Sequence, residues 1–243
     1  AVMGEGGFSE LLRGAAEMDR HFQTSALSEN LPVLMALTTI WHRNICDYRA
    51  QAVIPYDYRL RSLPGYLQQL VMESNGKSVD HQGRQIEYQT APVLFGEPGT
   101  DAQHSLFQMF HQGSDIVPVT FIGVIRPDHD DEQAQAGLLA NMLAQATALA
   151  TGTKELADRE SLDTHRQMPG ERPSEVILLD KLTPYSLGQL LALYEHKVFV
   201  ESVIWDINPF DQYGVELGKV VAKTIQPALE DPSCNVPANY GLD

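Results

Sequence analysis

A parallel α/β fold, its sheet flanked by helices on both faces, is what this sequence predicts, and three observations predict it. Short continuous apolar runs recur along the chain: Ala52-Val53-Ile54, Pro92-Val93-Leu94-Phe95, Ile116 to Ile125, Val176 to Leu179 and Val203 to Ile207. Segments of helical periodicity separate them. The runs lack the alternation of apolar and polar residues that marks a half-solvated sheet, and strands that are apolar throughout belong to sheets covered on both sides.

Each element has a local reason. The opening Ala1-Val2-Met3-Gly4-Glu5-Gly6-Gly7 reads as a connector as easily as a terminus. Ser9 can cap a first helix whose apolar side is Leu11, Leu12, Ala15, Ala16 and Phe22. Asn30 and Pro32 start a second helix, in which Leu34, Met35, Leu37, Ile40 and Trp41 read as mostly buried. After the Ala52-Val53-Ile54 strand, Pro64 suits the first position of a helix that Asn75-Gly76 stops. The loop Gly96 to Thr100 feeds a helix ending near Gly113. Glu132 to Ala150 is a long Ala/Leu/Gln helix, Asp158 to Glu171 a polar connection, and Pro184 to Val200 helical. A last helix runs from Pro209, capped by Asn208, to about Leu229.

Composition narrows the partners. The 243 residues give room for one large domain or two small ones. Apolar types at 43% and charged types at 20% make an ordinary globular chain. With Asp plus Glu at 32 and Lys plus Arg at 17, the net charge is −15. Such a surface repels phosphate backbones and anionic lipid heads, so neither nucleic acid nor a membrane surface is an expected partner. No apolar run approaches the roughly 18 to 20 residues of a membrane-spanning helix. Cys46 and Cys234 stand far apart without Cys or His at metal-ligand spacing, so no disulfide and no metal site is expected. A soluble protein in a reducing, cytoplasmic setting fits.

Three segments could carry chemistry. In Tyr66 to Lys77, the residues Tyr66, Leu67, Leu70 and Val71 form a buried side, while Gln69 and Glu73 share a face one turn apart. Glu73 falls in the last helical turn, where the negative end of the helix dipole disfavours its charge and so favours a basic carboxylate. From spacing alone the plainer reading, a solvated glutamate near a helix end, stands first. In Gly96 to His104, Thr100 and Gln103 make a capping box, which puts His104 beside a helix N-terminus as a neutral imidazole able to exchange protons; a plain helix cap is the plainer reading there. His111 reads as structural. In Asn208 to Lys219, Gly214 and Gly218 lie within a helix at a cost of about 1 kcal/mol each, so a close approach of backbone or ligand is expected. Lys219 could then reach a ligand oxygen, although a lone helical Lys more often faces solvent.

The segments Gln68-Gln69 with Met72-Glu73-Ser74-Asn75-Gly76-Lys77, Gly96-Glu97-Pro98-Gly99-Thr100 with Gln103-His104, and Phe210-Asp211-Gln212 with Gly214-Val215-Glu216-Leu217-Gly218-Lys219 resemble, in this order, the glucose-6-phosphate isomerase family. The resemblance covers essentially the whole chain and corresponds to about the C-terminal half of the family's protein. It implies a helical connector over 1–50, a sugar-isomerase (SIS) type domain over 51–207 and a C-terminal helix and tail over 208–243. It implies interconversion of glucose 6-phosphate and fructose 6-phosphate through a cis-enediol(ate), without metal or organic cofactor. Glu73 looks like the proton-shuttling base, His104 like the acid/base for ring opening, Lys219 like its helper at the ring oxygen, and Gln69 like a substrate contact. The resemblance further implies a homodimer in which His104 enters the site of the neighbouring subunit. The family's Gly-Gly-Arg segment and phosphate loop belong to the half absent from this sequence, so the chain alone is expected to be nearly inactive and to need that N-terminal half. The rival reading is a non-catalytic sugar-phosphate-binding or dimerisation module. Asp101-Ala102 stands where many relatives have Asn-Gly, and Leu70 where some have Gly.

Overall fold

The computed structural model describes residues 3–155 and 163–230, so Cys234 and the first part of the expected polar connection, Asp158 to Leu162, lie outside the described residues. The chain divides into two compact units, Ala1–Pro209 and Phe210–Asp243.

In the first unit, β1 (Ala50–Pro55), β2 (Val93–Phe95), β3 (Val119–Arg126) and β4 (Ser174–Lys181) form a sheet in the order β2-β1-β3-β4, and every neighbouring pair is parallel. Ala52 stands opposite Phe95 on one side and Val119 on the other, and Ile122 opposite Ile177. The helices are α1 (Gly4–Thr24), α2 (Leu31–Ile40), α3 (Leu63–Gln68), α4 (Gly99–Ser105), α5 (Phe107–Gln112), α6 (Glu132–Thr151) and α7 (Pro184–Ile204).

Strand alternation builds two cores. Val53 and Ile122 face Leu63 and Leu67 of α3, Val71 of the turn that follows it, and Leu190, Leu193 and Val198 of α7. Ala52, Ile54, Val119 and Phe121 face the opposite way, onto Phe107 and Phe110 of α5 and Met142 and Leu149 of α6. The expectation of helices on both faces is met for the inner strands. Edge strand β4 is less fully covered: Ile177 and Leu179 join the α7 core, while Val176 and Leu178 are 41% and 49% exposed. α1 lies along α7 at a distance set by two glycines. A Cβ on Gly14 would stand 1.9 Å from the Tyr185 carbonyl oxygen, and one on Gly188 2.0 Å from that of Leu11. Any side chain at either position drives the helices apart.

Several expectations need correction. Val203 to Ile207 is not a strand: α7 runs to Ile204, Trp205 ends it buried with Nε1 donating to Asn44 Oδ1 (2.9 Å), and Asp206 takes φ +53°. A short β-branched run cannot be told from a buried helix end by periodicity, and tertiary burial of Trp205 decides it. The single helix expected before Gly113 is two, α4 and α5, broken at Leu106 (φ −110°). α1 begins at Gly4 without a side-chain cap, so Ser9 lies inside it. Asn30 does cap α2, its Oδ1 accepting from the Val33 N–H (3.4 Å). The buried side of α2, however, is Pro32, Ala36 and Thr39, while Leu34, Leu37 and Trp41 stand exposed. Tyr66 is also outside the core; its hydroxyl donates to Glu195 (3.1 Å), and burial, then that carboxylate, push its phenol up to about 12.

In the second unit, a single 3-10 turn at Tyr213–Val215 leads into α8 (Glu216–Glu230). The expected start at Pro209 is displaced because Phe210 takes φ +60° and Gln212 stays outside the helical region. Neither residue can continue a right-handed helix.

Candidate active site

Glu73 stands where α3 ends in a wide π turn, Gln69–Glu73. One-turn π segments re-aim side chains that a regular helix would space evenly, and they recur at functional sites. The carbonyls at a helix C-terminus have no donor of their own. Here Lys77 Nζ donates to Glu73 O and Ser74 O, both at 2.8 Å, and the Gly76 N–H donates to Met72 O (2.9 Å). Asn75, fully buried, ties the turn to two other elements. Its Nδ2 donates to Val198 O (3.0 Å) and Glu201 Oε2 (3.2 Å) of α7, and its carbonyl accepts from the Ala91 N–H ahead of β2 (3.4 Å). The backbone under Glu73 is therefore pinned. Its carboxylate is half-buried and, among the described residues, has one hydrogen-bond partner, Gln69 Nε2 at 3.5 Å, a long contact that leaves the oxygens available.

His104 has a different setting. It is exposed and sits in the last turn of the seven-residue α4, so the expected position beside a helix N-terminus is wrong. The Thr100-Gln103 capping box does not form either. Pro98 occupies the cap position without a side-chain bond, and Gln103 Nε2 instead donates to the buried Tyr56 hydroxyl (3.1 Å). Burial pushes the Tyr56 phenol up, which keeps it a neutral partner. Gly96 makes the β2–α4 loop possible: a Cβ there would lie 1.9 Å from Val53 O. His111 is buried, faces Gln145 across 3.2 Å and stacks obliquely near Phe107, as a packing residue does.

The Asn75–Ala91 bond holds the Glu73 turn near the start of β2, whereas α4 leaves its end. One chain thus brings Gln69 and Glu73 together and sets His104 at the other end of the strand. Lys219 lies exposed in α8 of the second unit. Within that unit nothing stands within 4 Å of a Cβ at Gly214 or Gly218, so the close approach expected there is not made inside α8's own unit.

Sequence reasoning missed the supporting residues. Asn75 reads from sequence as a helix stop and, with Lys77, as part of the family segment, with no role assigned to either. Lys197 and Glu201, one helical turn apart in α7, are 1% and 0% exposed and paired at 2.5 Å. The available signal is that i, i+4 charge pair on the same helix face as Leu190, Leu193 and Tyr194. A cavity of about 560 Å³, mostly apolar, lies between α3 and the start of α7 beside Leu63, Tyr66, Pro184 and Leu187, and touches none of the predicted site residues. Among the described residues no group of three or more His, Cys, Asp or Glu could hold a metal ion, and no helix is long and apolar enough to cross a membrane.

This parallel sheet with its two helical layers is an α/β domain of the sugar-isomerase type. A sequence model described as Phosphoglucose isomerase matches residues 2–239, and the chain belongs to that family. It is 51% identical over 229 residues to a glucose-6-phosphate isomerase of Polaromonas naphthalenivorans (94% of this chain, 43% of the relative). To one of Stenotrophomonas maltophilia it is 53% identical over 223 residues (92% and 43%). The crystal structure of a glucose-6-phosphate isomerase from Chlamydia trachomatis superposes with a TM-score of 0.82 at 40% identity, covering 91% of this chain and 43% of that one. The chain therefore spans less than half the length of these relatives.

Proposed function

We propose that this chain supplies the proton-transferring part of an enzyme that interconverts glucose 6-phosphate and fructose 6-phosphate, completed by the portion its relatives have in addition. In this reading the Glu73 carboxylate takes the proton from C2 of open-chain glucose 6-phosphate, giving a cis-enediol(ate), and returns it to C1 to yield fructose 6-phosphate. A base next to a carbonyl must be free to approach the carbon and fixed in place, and a positioned general base contributes roughly 10² to 10⁴ in rate. The observation that carries the proposal is the available Glu73 carboxylate on a backbone pinned by Lys77 and Asn75.

Gln69, one turn before it, is the substrate contact. His104 opens the sugar ring from the neighbouring subunit of a homodimer, its exposed place in α4 leaving it open to such a subunit. Lys219 assists at the ring oxygen. Residues 51–207 then provide the sheet and the base, 208–243 the lysine, and 1–50 a helical connector. No cofactor enters these steps, and the setting is cytoplasmic.

The test is a full-length isomerase in which this chain replaces the aligned part of the Polaromonas relative. The chimaera should be active in a coupled assay and the chain alone nearly inactive. Glu73→Gln in the chimaera should lose about 10² to 10⁴ in kcat together with hydrogen exchange at C2. A Glu73→Gln chimaera that exchanges solvent deuterium into C2 at the parental rate removes Glu73 from the role.

A further inference from the structure

The turn that presents Glu73 is joined to the interior by a buried ionic network that acid/base chemistry does not itself require. Glu201, 0% exposed, uses both carboxylate oxygens: Oε1 accepts from Lys197 Nζ (2.5 Å) and Oε2 from Asn75 Nδ2 (3.2 Å). Asn75 spends its second amide hydrogen on Val198 O (3.0 Å), so both donors point into α7. Among the described residues its Oδ1 is buried without a partner. An unpaired buried acceptor is an unusual expense for a residue whose only duty is to end a helix, where an exposed Asn or Gly would serve. Glu175, reaching in from β4, also faces the pair, and the Lys197 charge acts on it. The charged groups around the pair that Asn75 joins are thus Lys197, Glu201 and Glu175, and the buried Tyr194 hydroxyl, which feels the Glu175 charge, has no hydrogen-bond partner among the described residues.

We propose that Asn75, oriented by the buried Lys197–Glu201 pair, is the positioning residue that fixes where the Glu73 carboxylate stands over the substrate carbons. The inference rests on Glu73 being the base. Asn75 touches no reacting atom; it acts two residues along the backbone. The Lys77 bonds to Glu73 O and Ser74 O are local and hold the turn's shape, whereas the Asn75 bonds span 123 and 126 residues of sequence and set its position against the sheet. A base displaced by about 1 Å can lose on the order of 10² in rate.

The experiment uses the full-length chimaera described above and glucose 6-phosphate carrying either hydrogen or deuterium at C2. Asn75→Ala should lower kcat about 10- to 100-fold with KM changed less than about twofold, and should raise the isotope effect on kcat, because proton transfer slows while ring opening does not. Glu201→Gln leaves one oxygen where Lys197 and Asn75 need two, so it should lower kcat and raise the isotope effect in the same direction as Asn75→Ala, by a smaller factor. Asn75→Ser, which shortens the donor, gives the same reading if Asn75→Ala fails to fold. A purely structural role lowers the folded fraction and leaves the isotope effect of the folded enzyme unchanged. Parental kcat and isotope effect in folded Asn75 variants, beside an inactive Glu73→Gln enzyme, overturn this inference alone. A fully active Glu73→Gln enzyme overturns the base assignment and this inference with it.

Discussion

The turn at Glu73 and the helix at His104 carry the two acid/base candidates of the first unit, and they are built in opposite ways. Around Glu73 the carbonyls of Met72, Glu73, Ser74 and Asn75 each have a donor, one side chain reaches α7, and a buried ion pair stands behind that side chain. Around His104 there is a seven-residue helix with no side-chain cap, held by Gln103 on Tyr56 and closed at its end by the break at Leu106. The difference teaches which group this chain completes internally. Under the proposed function, the base that must meet carbon within tenths of an ångström is fixed by its own domain, while His104 stands on an exposed helix, open to a group from outside the chain.

The sharpest way to break that contrast is subunit mixing. If His104 serves the neighbouring subunit, a mixed dimer of Glu73→Gln and His104→Gln chimaeras contains one site with both residues intact. Random mixing of two nearly inactive proteins should then restore about a quarter of the parental sites, as two-fold symmetry requires. That is a rise of roughly two orders of magnitude over either variant alone, given the loss expected for each. Activity that stays at the level of the separate variants places both groups in one subunit and ends the comparison.

A second test weighs the two supports. Glu201→Leu leaves the ammonium of Lys197 in a site 1% exposed, and orphaning one member of a buried pair costs about 3–5 kcal/mol. Replacing both, Lys197→Met with Glu201→Leu, should recover much of that loss, since an apolar pair of similar size asks for no desolvation. On the other side, Gln103→Ala removes one hydrogen bond to Tyr56 and should cost about 1 kcal/mol. Denaturant midpoints of the four proteins give the ranking. Equal effects for Glu201→Leu and Gln103→Ala would mean that the Glu73 side is no more firmly built.

The same contrast explains what could be read from the sequence. Apolar runs disclose the parallel sheet because burial on both faces leaves no alternation, and Val53 and Ala52 show that adjacent residues serve opposite cores. Gln69 and Glu73 are visible together because one helical turn relates them. Asn75 and Glu201 are not, because 126 residues separate them and nothing local reports the fold that joins them. The His104 environment was misread for a different reason. Thr100 and Gln103 have the spacing of a capping box, but Gln103 finds a better partner in Tyr56, brought in by β1. Val203 to Ile207 failed likewise, as helical burial of Trp205 outweighed β-branched propensity.

The smallest expected effect separates the two regions by pH. Glu175, half-buried beside the Lys197–Glu201 pair, has its carboxyl pushed above the ordinary value of 4.5, first by loss of solvation, with Glu201 adding to the rise and Lys197 and Thr120 opposing it. The folded state therefore holds this proton over a range in which the unfolded chain has released it. Stability from this group is fully present below about 4.5 and is lost as pH rises through the folded value, because the unfolded state then binds fewer protons than the native one. Glu175→Gln cannot ionise, so the variant should gain on the parent with rising pH, by on the order of 1 kcal/mol near neutrality. Urea midpoints of parent and variant between about pH 4.5 and 8 should diverge in that direction. Gln103→Ala, which removes no ionisable group, should run parallel to the parent across the same range. Parallel curves for Glu175→Gln as well would mean that the network behind Glu73 holds no strained carboxyl, and that its firmness comes from the Lys197–Glu201 pair and Asn75 alone.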